Sequence, residues 1–451
     1  MTADSANEGR LTTATSTALL TDRYELTMLD AALTSGTHQR DSVFEVFARR
    51  LPSGRRYGVV AGTGRLLELI RDFRFTPEHL DWLANEHVVS DRALALLADY
   101  RFEGEIDGYA EGELYFPNSP VLSVRAPFWQ GVILETLILS VLNYDCAVAS
   151  AAARMAVAAG GRPLAEMGSR RTQERSAVGA ARAAYIAGFS ATSNLEAGFQ
   201  WGVPTMGTAA HSFTLLHDSE AGAFRAQIDT LGVGTTLLVD TYDIEQGVRT
   251  AIEVAGTDLG AVRIDSGDLP VVVRQVRTLL DSLGATNTKI TVTNDLDEHA
   301  IAGLAAAPVD SYGVGTQVVT GAGHPAAGMV YKLVARRGDD GEWLDVAKSA
   351  AGKSNAGGLK QAFRRIKRGT ATHEVVHSVA GADANAPLAG ADHDDRPLLV
   401  NLASGGEFHA QFLGQAGVQA ARERCAASLA ELPRDGLRLS AGDPAIPTVL
   451  N

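Results

Sequence analysis

The chain has 451 residues, 45% of them hydrophobic and 21% charged, an ordinary globular balance. That length suits two or three domains, or one large α/β barrel with additions. A formal charge of -13 argues against a nucleic-acid or anionic-membrane partner, since both need a basic face, and Cys146 and Cys425 are too few for a disulfide framework.

Residues 1–18, "MTADSANEGRLTTATSTA", are polar, without a basic region followed by an apolar core. They read as a frayed tail rather than a secretory signal, and with the two cysteines they suggest a reducing cytoplasm. From 19 to 125 the elements are mixed. "SVFEVFARRLP" and "YGVVAG" predict strands, "GTGRLLELIRDF" a helix after a glycine turn, and "GELYFPNSPVLSVRAP" antiparallel strands. This part is expected to be a small α+β layer. The apolar run "WQGVILETLILSVLNYDCAVASAAARM" is interrupted by Glu135, Asn143, Asp145 and Arg154, which fits a buried helix better than a membrane span.

From 126 to about 345 a catalytic α/β barrel is expected. Seven short apolar runs follow one another: "RPLAEMGSRR", "IAGFSATSN", "GVPTMGTAAH", "GTTLLVDTYD", "GAVRIDSGD", "TKITVTND" and "VDSYGVGTQ". Helical segments such as "DLPVVVRQVRTLLDSLG" lie between several of them, a grammar that predicts a parallel sheet with crossover helices. Most runs end on a polar or glycine-rich group: Arg170, Ser193, His211, Asp240, Asp265, Asn294, then Gly313 to Thr316. In barrels the loops after the strands share one mouth, so these groups predict an active site there.

From 346 to 451 the chain is expected to pack on the N-terminal layer. It opens with the basic stretch "DVAKSAAGKSNAGGLKQAFRRIKRG", and "AGADANAPLAGADHDDRP" reads as a loop. "HEVVH", His373 to His377, matches the zinc-protease spelling. Its β-branched neighbours predict a strand, which would hold the two histidines about 13 Å apart, too far for one zinc ion.

The set "LLTDRYELTM", "FEVFARRLP", "EMGSRR", "GTAAHSF", "LLVDTYD", "RIDSGDL", "GVGTQVVTG", "MVYKLV" and "KSNAGGLKQAFR" resembles the nicotinate phosphoribosyltransferases. The likeness keeps its order over residues 19–365. It implies an irregular (β/α) barrel of the type II phosphoribosyltransferase kind, plus an α/β sandwich domain built from both chain ends. It further implies a homodimer with active sites at the subunit interface. The reaction implied joins nicotinate to C1 of phosphoribosyl pyrophosphate (PRPP), with ATP as co-substrate, Mg²⁺, and a transiently phosphorylated histidine.

His211 matches that histidine, with Asp240 as the acceptor that fixes its tautomer. Arg263 and Thr208 match nicotinate contacts, and Tyr24 the aromatic that stacks on the pyridine ring. Gly313, Gly315 and Thr316 match the 5-phosphate loop. Arg170 is expected on the diphosphate or nicotinyl side. Asp265 and Asp268 are expected at ribose hydroxyls or Mg²⁺-bound water. A nicotinamide phosphoribosyltransferase is one alternative, disfavoured because "GFSATSNLEAG" is neutral up to Glu196. A barrel lyase or dehydrogenase is another, and it would have no reason to hydrolyse ATP.

Overall fold

A computed structural model describes residues 16–348, 356–379 and 395–451. Most of the expected tail, most of the expected loop at 380–397 and the start of "KSNAGG" lie outside these residues.

Two sheets organise the chain. The first is wholly parallel and has six strands, in the order Ala191–Thr192, Leu164–Glu166, Ser311–Val314, Lys289–Val292, Ala261–Ile264 and Thr236–Leu238. It curls into a half-barrel. Six of the seven apolar runs are therefore strands. The seventh, "GVPTMGTAAH", contributes only one bridge, Thr205 to Thr192. Pro204 lacks the N–H that a ladder needs, and the segment passes the sheet edge as a loop.

The second sheet is antiparallel, with seven strands in the order Trp343–Asp345, Met329–Arg337, Asp41–Ala48, Leu122–Pro127, Glu105–Tyr109, Leu399–Ser404 and Glu407–Phe408. Its centre comes from the N-terminal layer and one edge from the C-terminal part. "MVYKLV" leaves the parallel region and pairs with Asp41–Ala48, Tyr331 opposite Val46. A four-stranded sheet joins Asp395–Pro397, Leu359–Lys367, Thr370–Val379 and Thr448–Leu450.

The apolar run becomes one helix, Glu135–Ala159. It is long and apolar enough to cross a membrane, but 72% of its most apolar window is buried within the protein. The small residues from Ala147 to Ala153, interrupted only by Val148, let neighbours approach closely, and the helix's charges are matched inside. Arg65 grips Asp145 with two 2.8 Å bonds, and Arg154 donates to Glu298 at 2.9 Å. Burying these ions is tolerable because each is paired.

"HEVVH" lies inside the strand Thr370–Val379, as its β-branched neighbours predict. Glu374 is fully buried and accepts from Arg364 at 2.9 Å and Tyr109 at 2.8 Å, so it ties sheets together. Among the described residues no group of three or more His, Cys, Asp or Glu is placed to hold a metal ion.

Candidate active site

The parallel strands deliver their polar ends to one mouth. His211 is the first residue of the short helix His211–Leu216, and its side chain is 41% exposed. Nε2 of its ring stands 3.8 Å from Asp240 Oδ1 and 3.9 Å from Asp265 Oδ2. Nδ1 lies 3.2 Å from the Thr241 hydroxyl. Two carboxylates thus face the Nε2 edge of the imidazole and one hydroxyl the Nδ1 edge.

Asp240 follows the strand Thr236–Leu238 by two residues, and its side chain is fully buried. One oxygen, Oδ2, accepts from the Asp265 backbone N–H and the Ser266 hydroxyl, both at 2.7 Å. The other, Oδ1, is buried without a hydrogen-bond partner and faces the imidazole. A buried carboxylate oxygen left without a donor is a costly arrangement.

Arg263 sits on the strand Ala261–Ile264, two residues before Asp265. Nε donates to Thr293 at 3.0 Å, while Nη1 donates to the Thr208 hydroxyl at 3.0 Å and the Ala209 carbonyl at 3.2 Å. Nη2 lies 3.4 Å from Asp265 Oδ2. This locks the guanidinium plane, with Nη2 turned to the Asp265 carboxylate.

Gly313 and Gly315 belong to the end of the strand Ser311–Val314 and the residue after it, and Thr316 begins the next helical turn. A Cβ on Gly313 would stand 2.6 Å from Thr293 Cγ2 and 2.8 Å from Met167 Sδ, so no side chain fits. Through Thr293 the glycine loop is thus packed against the Arg263–Asp265 pair.

Arg170 is exposed in the turn after Leu164–Glu166, at the same end of the sheet. Asp268 precedes the helix Leu269–Ser282 and is exposed, with no capping bond from its side chain. No hydrogen bond or ion pair of Asp268 joins it to the His211 cluster. Tyr24 lies in the helix Arg23–Ser35 of the other layer, 44% exposed. Burial and the nearby Glu135 push its hydroxyl up to about 12, and its charged neighbours Glu135, Glu25 and Asp22 are not part of the mouth. The single chain therefore assembles His211, Asp240, Thr208, Arg263, Asp265 and the glycine loop, and leaves Tyr24 apart.

Two residues that strand ends alone do not reveal are central. Thr293, 4% exposed, accepts from Arg263 and donates to Asp265. Glu166, 1% exposed, accepts from the Gly168 N–H and, at 2.6 Å, from the Thr192 hydroxyl. Period-two alternation in "KITVT" turns Thr293 to the face of Thr291 and was the available signal there, whereas "PLAEMG" has no such alternation to mark Glu166.

Known proteins resemble this chain over nearly its whole length. A family model for the nicotinate phosphoribosyltransferase N-terminal domain matches residues 19–143. A nicotinate phosphoribosyltransferase of Mycobacterium tuberculosis is 55% identical over 439 residues, covering 95% of this chain and 94% of that protein. One from Bacillus subtilis is 37% identical over 364 residues, covering 78% of this chain and 74% of that one. The crystal structure of human nicotinic acid phosphoribosyltransferase superposes with a TM-score of 0.78 at 26% identity, covering 96% and 97% of the two chains. The full-length identity to the mycobacterial protein places this chain in the nicotinate phosphoribosyltransferase family.

Proposed function

We propose that this enzyme joins nicotinate to C1 of PRPP and couples the step to ATP hydrolysis through phosphorylation of His211, the first step of NAD salvage from nicotinate. The observation that carries the reading is the imidazole of His211, flanked by Asp240 and Asp265 at 3.8 and 3.9 Å and by Thr241 at 3.2 Å.

In the transferase step the pyridine nitrogen's lone pair forms the bond to C1 as the C1–oxygen bond to pyrophosphate breaks. The transition state is cationic at the ribose, so the work is to hold the two reactants together and exclude water. Arg263 meets the nicotinate carboxylate at its Nη2 end, and Thr208 holds the guanidinium from the other side. Gly313, Gly315 and Thr316 receive the 5-phosphate, and Arg170 the diphosphate. The segment at Ser193 and Asn194 carries no acid of its own up to Glu196, which is exposed and accepts from Gln200 at 2.6 Å, and this suits a substrate carboxylate.

In the coupling step His211 Nδ1 attacks the γ-phosphorus of ATP. The N–P bond forms, the P–O bond to ADP breaks, and the ring's positive charge rests against Asp240 and Asp265. Water later takes the phosphoryl group as inorganic phosphate. With no acidic cage in the described residues, Mg²⁺ fits here only as a companion of the substrate phosphates. Asp265 and Asp268 are the carboxylates that would hold it or its water, and it would neutralise phosphate charge.

Tyr24 completes the reading only in a homodimer, where a second copy carries its ring to the nicotinate. The test is turnover of purified protein with nicotinate, PRPP and ATP, nicotinamide being the competitor. Nicotinate mononucleotide is expected. Equal turnover of nicotinamide would overturn the assignment.

A further inference from the structure

We propose that Glu166 is a positioning residue for PRPP, acting through a closed ring of hydrogen bonds at the root of the turn that carries Arg170. The proposal deepens the phosphoribosyltransferase reading above and rests on it.

The ring can be followed atom by atom. The Gly168 N–H donates to Glu166 Oε1, and Gly168 is bonded to Ser169. Ser169 Oγ accepts from Asn194 Nδ2 at 3.0 Å, and the Asn194 N–H donates to Thr192 Oγ1 at 3.0 Å. The Thr192 hydroxyl then donates to Glu166 Oε2 at 2.6 Å, which closes the circuit. Three backbone bonds lock it to its surroundings: Met167 N–H to Val314, Ser193 N–H to Glu166, and Arg171 N–H to Gly168, each at 2.8 Å.

Both oxygens of Glu166 thus hold donors from different strand ends. The groups acting on the carboxyl are neutral: burial pushes its pKa up, while Thr192 and Gly168 pull it down. A buried carboxylate held by two neutral donors is a poor way to gain stability. It is an effective way to fix two loops in register, because losing either bond strands a buried donor.

What the ring fixes is the contact between the Arg170 turn and the glycine loop. A Cβ on Gly168 would stand 2.9 Å from the Gly315 carbonyl and would clash with Val319. The turn lies directly on the backbone before Thr316, so a shift of the ring moves Arg170 and the loop together. None of the ring atoms needs to touch substrate.

Two conservative variants test this: Glu166→Gln, which keeps an acceptor for Gly168 but presents a second donor to Thr192, and Thr192→Val, which keeps the shape and removes the hydroxyl. Each is expected to raise the KM for PRPP by roughly tenfold to a hundredfold, the scale for misplacing a binding group by about 1 Å. The kcat at saturating substrate should change little. The double variant should be no worse than the worse single one, since both break one circuit. Unchanged KM in the singles, or effects that multiply in the double, would overturn the proposal even if thermal stability falls. A wild-type chain giving no PRPP-dependent product would instead remove the reading beneath it, and the proposal with it.

Discussion

The Thr293 hydroxyl stands between Arg263 and Asp265, accepting from Nε of the first at 3.0 Å and donating to a carboxylate oxygen of the second. One buried side chain from the end of the neighbouring strand therefore sets the relative pose of Arg263 and Asp265, the second of which lies 3.9 Å from His211. Thr293→Val keeps the volume and removes both bonds. It should lower kcat/KM for nicotinate by about tenfold to a hundredfold, the worth of one or two hydrogen bonds to charged groups. The fold should survive, because Gly313 still packs on the same methyl group. Steady-state kinetics beside thermal melting check both parts.

Arg263→Lys retains the charge and loses the fork. A lysine cannot hold Thr208, Ala209 and Thr293 at once, as the guanidinium does. The KM for nicotinate should rise by roughly tenfold or more, again the scale of charge-assisted bonds. A variant with wild-type KM would show that Arg263 serves only the internal network.

Tyr24 gives a test of the homodimer. Tyr24→Ala and Arg263→Ala chains should each be nearly inactive alone. If the ring arrives from a second copy, refolding the two together regenerates intact sites in mixed dimers, up to about a quarter of wild-type activity. No recovery on mixing would mean that each chain builds its site by itself.

Glu45 offers a pH signature. Burial pushes its carboxyl up to about 7, against the pull of Lys360, which donates to both its oxygens at 3.0 Å. A folded pKa above the unfolded value means that the folded chain holds the extra proton. Its contribution is therefore full below the unfolded value near 4.5 and is lost as pH rises towards about 7. Glu45→Gln removes this titration while keeping an oxygen that accepts from Lys360. Its melting temperature should fall less between pH 5 and 7 than that of the wild type. Parallel curves for the two proteins would contradict this.

How much of this was legible in the sequence depends on the range of the interaction. Strand ends are local signals, so six parallel strands and the polar residues following them could be read from "LLVDTYD", "RIDSGDL" and their like. The edge segment around Thr205 misled the count because apolar character survives in a loop that Pro204 keeps out of the ladder. Thr293 and Glu166 were harder, since both have partners on other strands and an isolated threonine or glutamate announces nothing. "MVYKLV" shows the same limit: its alternation predicts a strand, but only the pairing with Asp41–Ala48 says in which sheet. Tyr24 was identified by resemblance, and chain order carries no information about which subunit it serves.

The central claim is that His211 takes the phosphoryl group of ATP. The direct measurement follows ADP release and nicotinate mononucleotide formation together in wild type and in His211→Ala. The account predicts that the variant loses nicotinate-dependent ATP hydrolysis and any acid-labile phosphorylation, while slow PRPP-dependent product formation continues. Undiminished ATP hydrolysis coupled to mononucleotide in His211→Ala would contradict it.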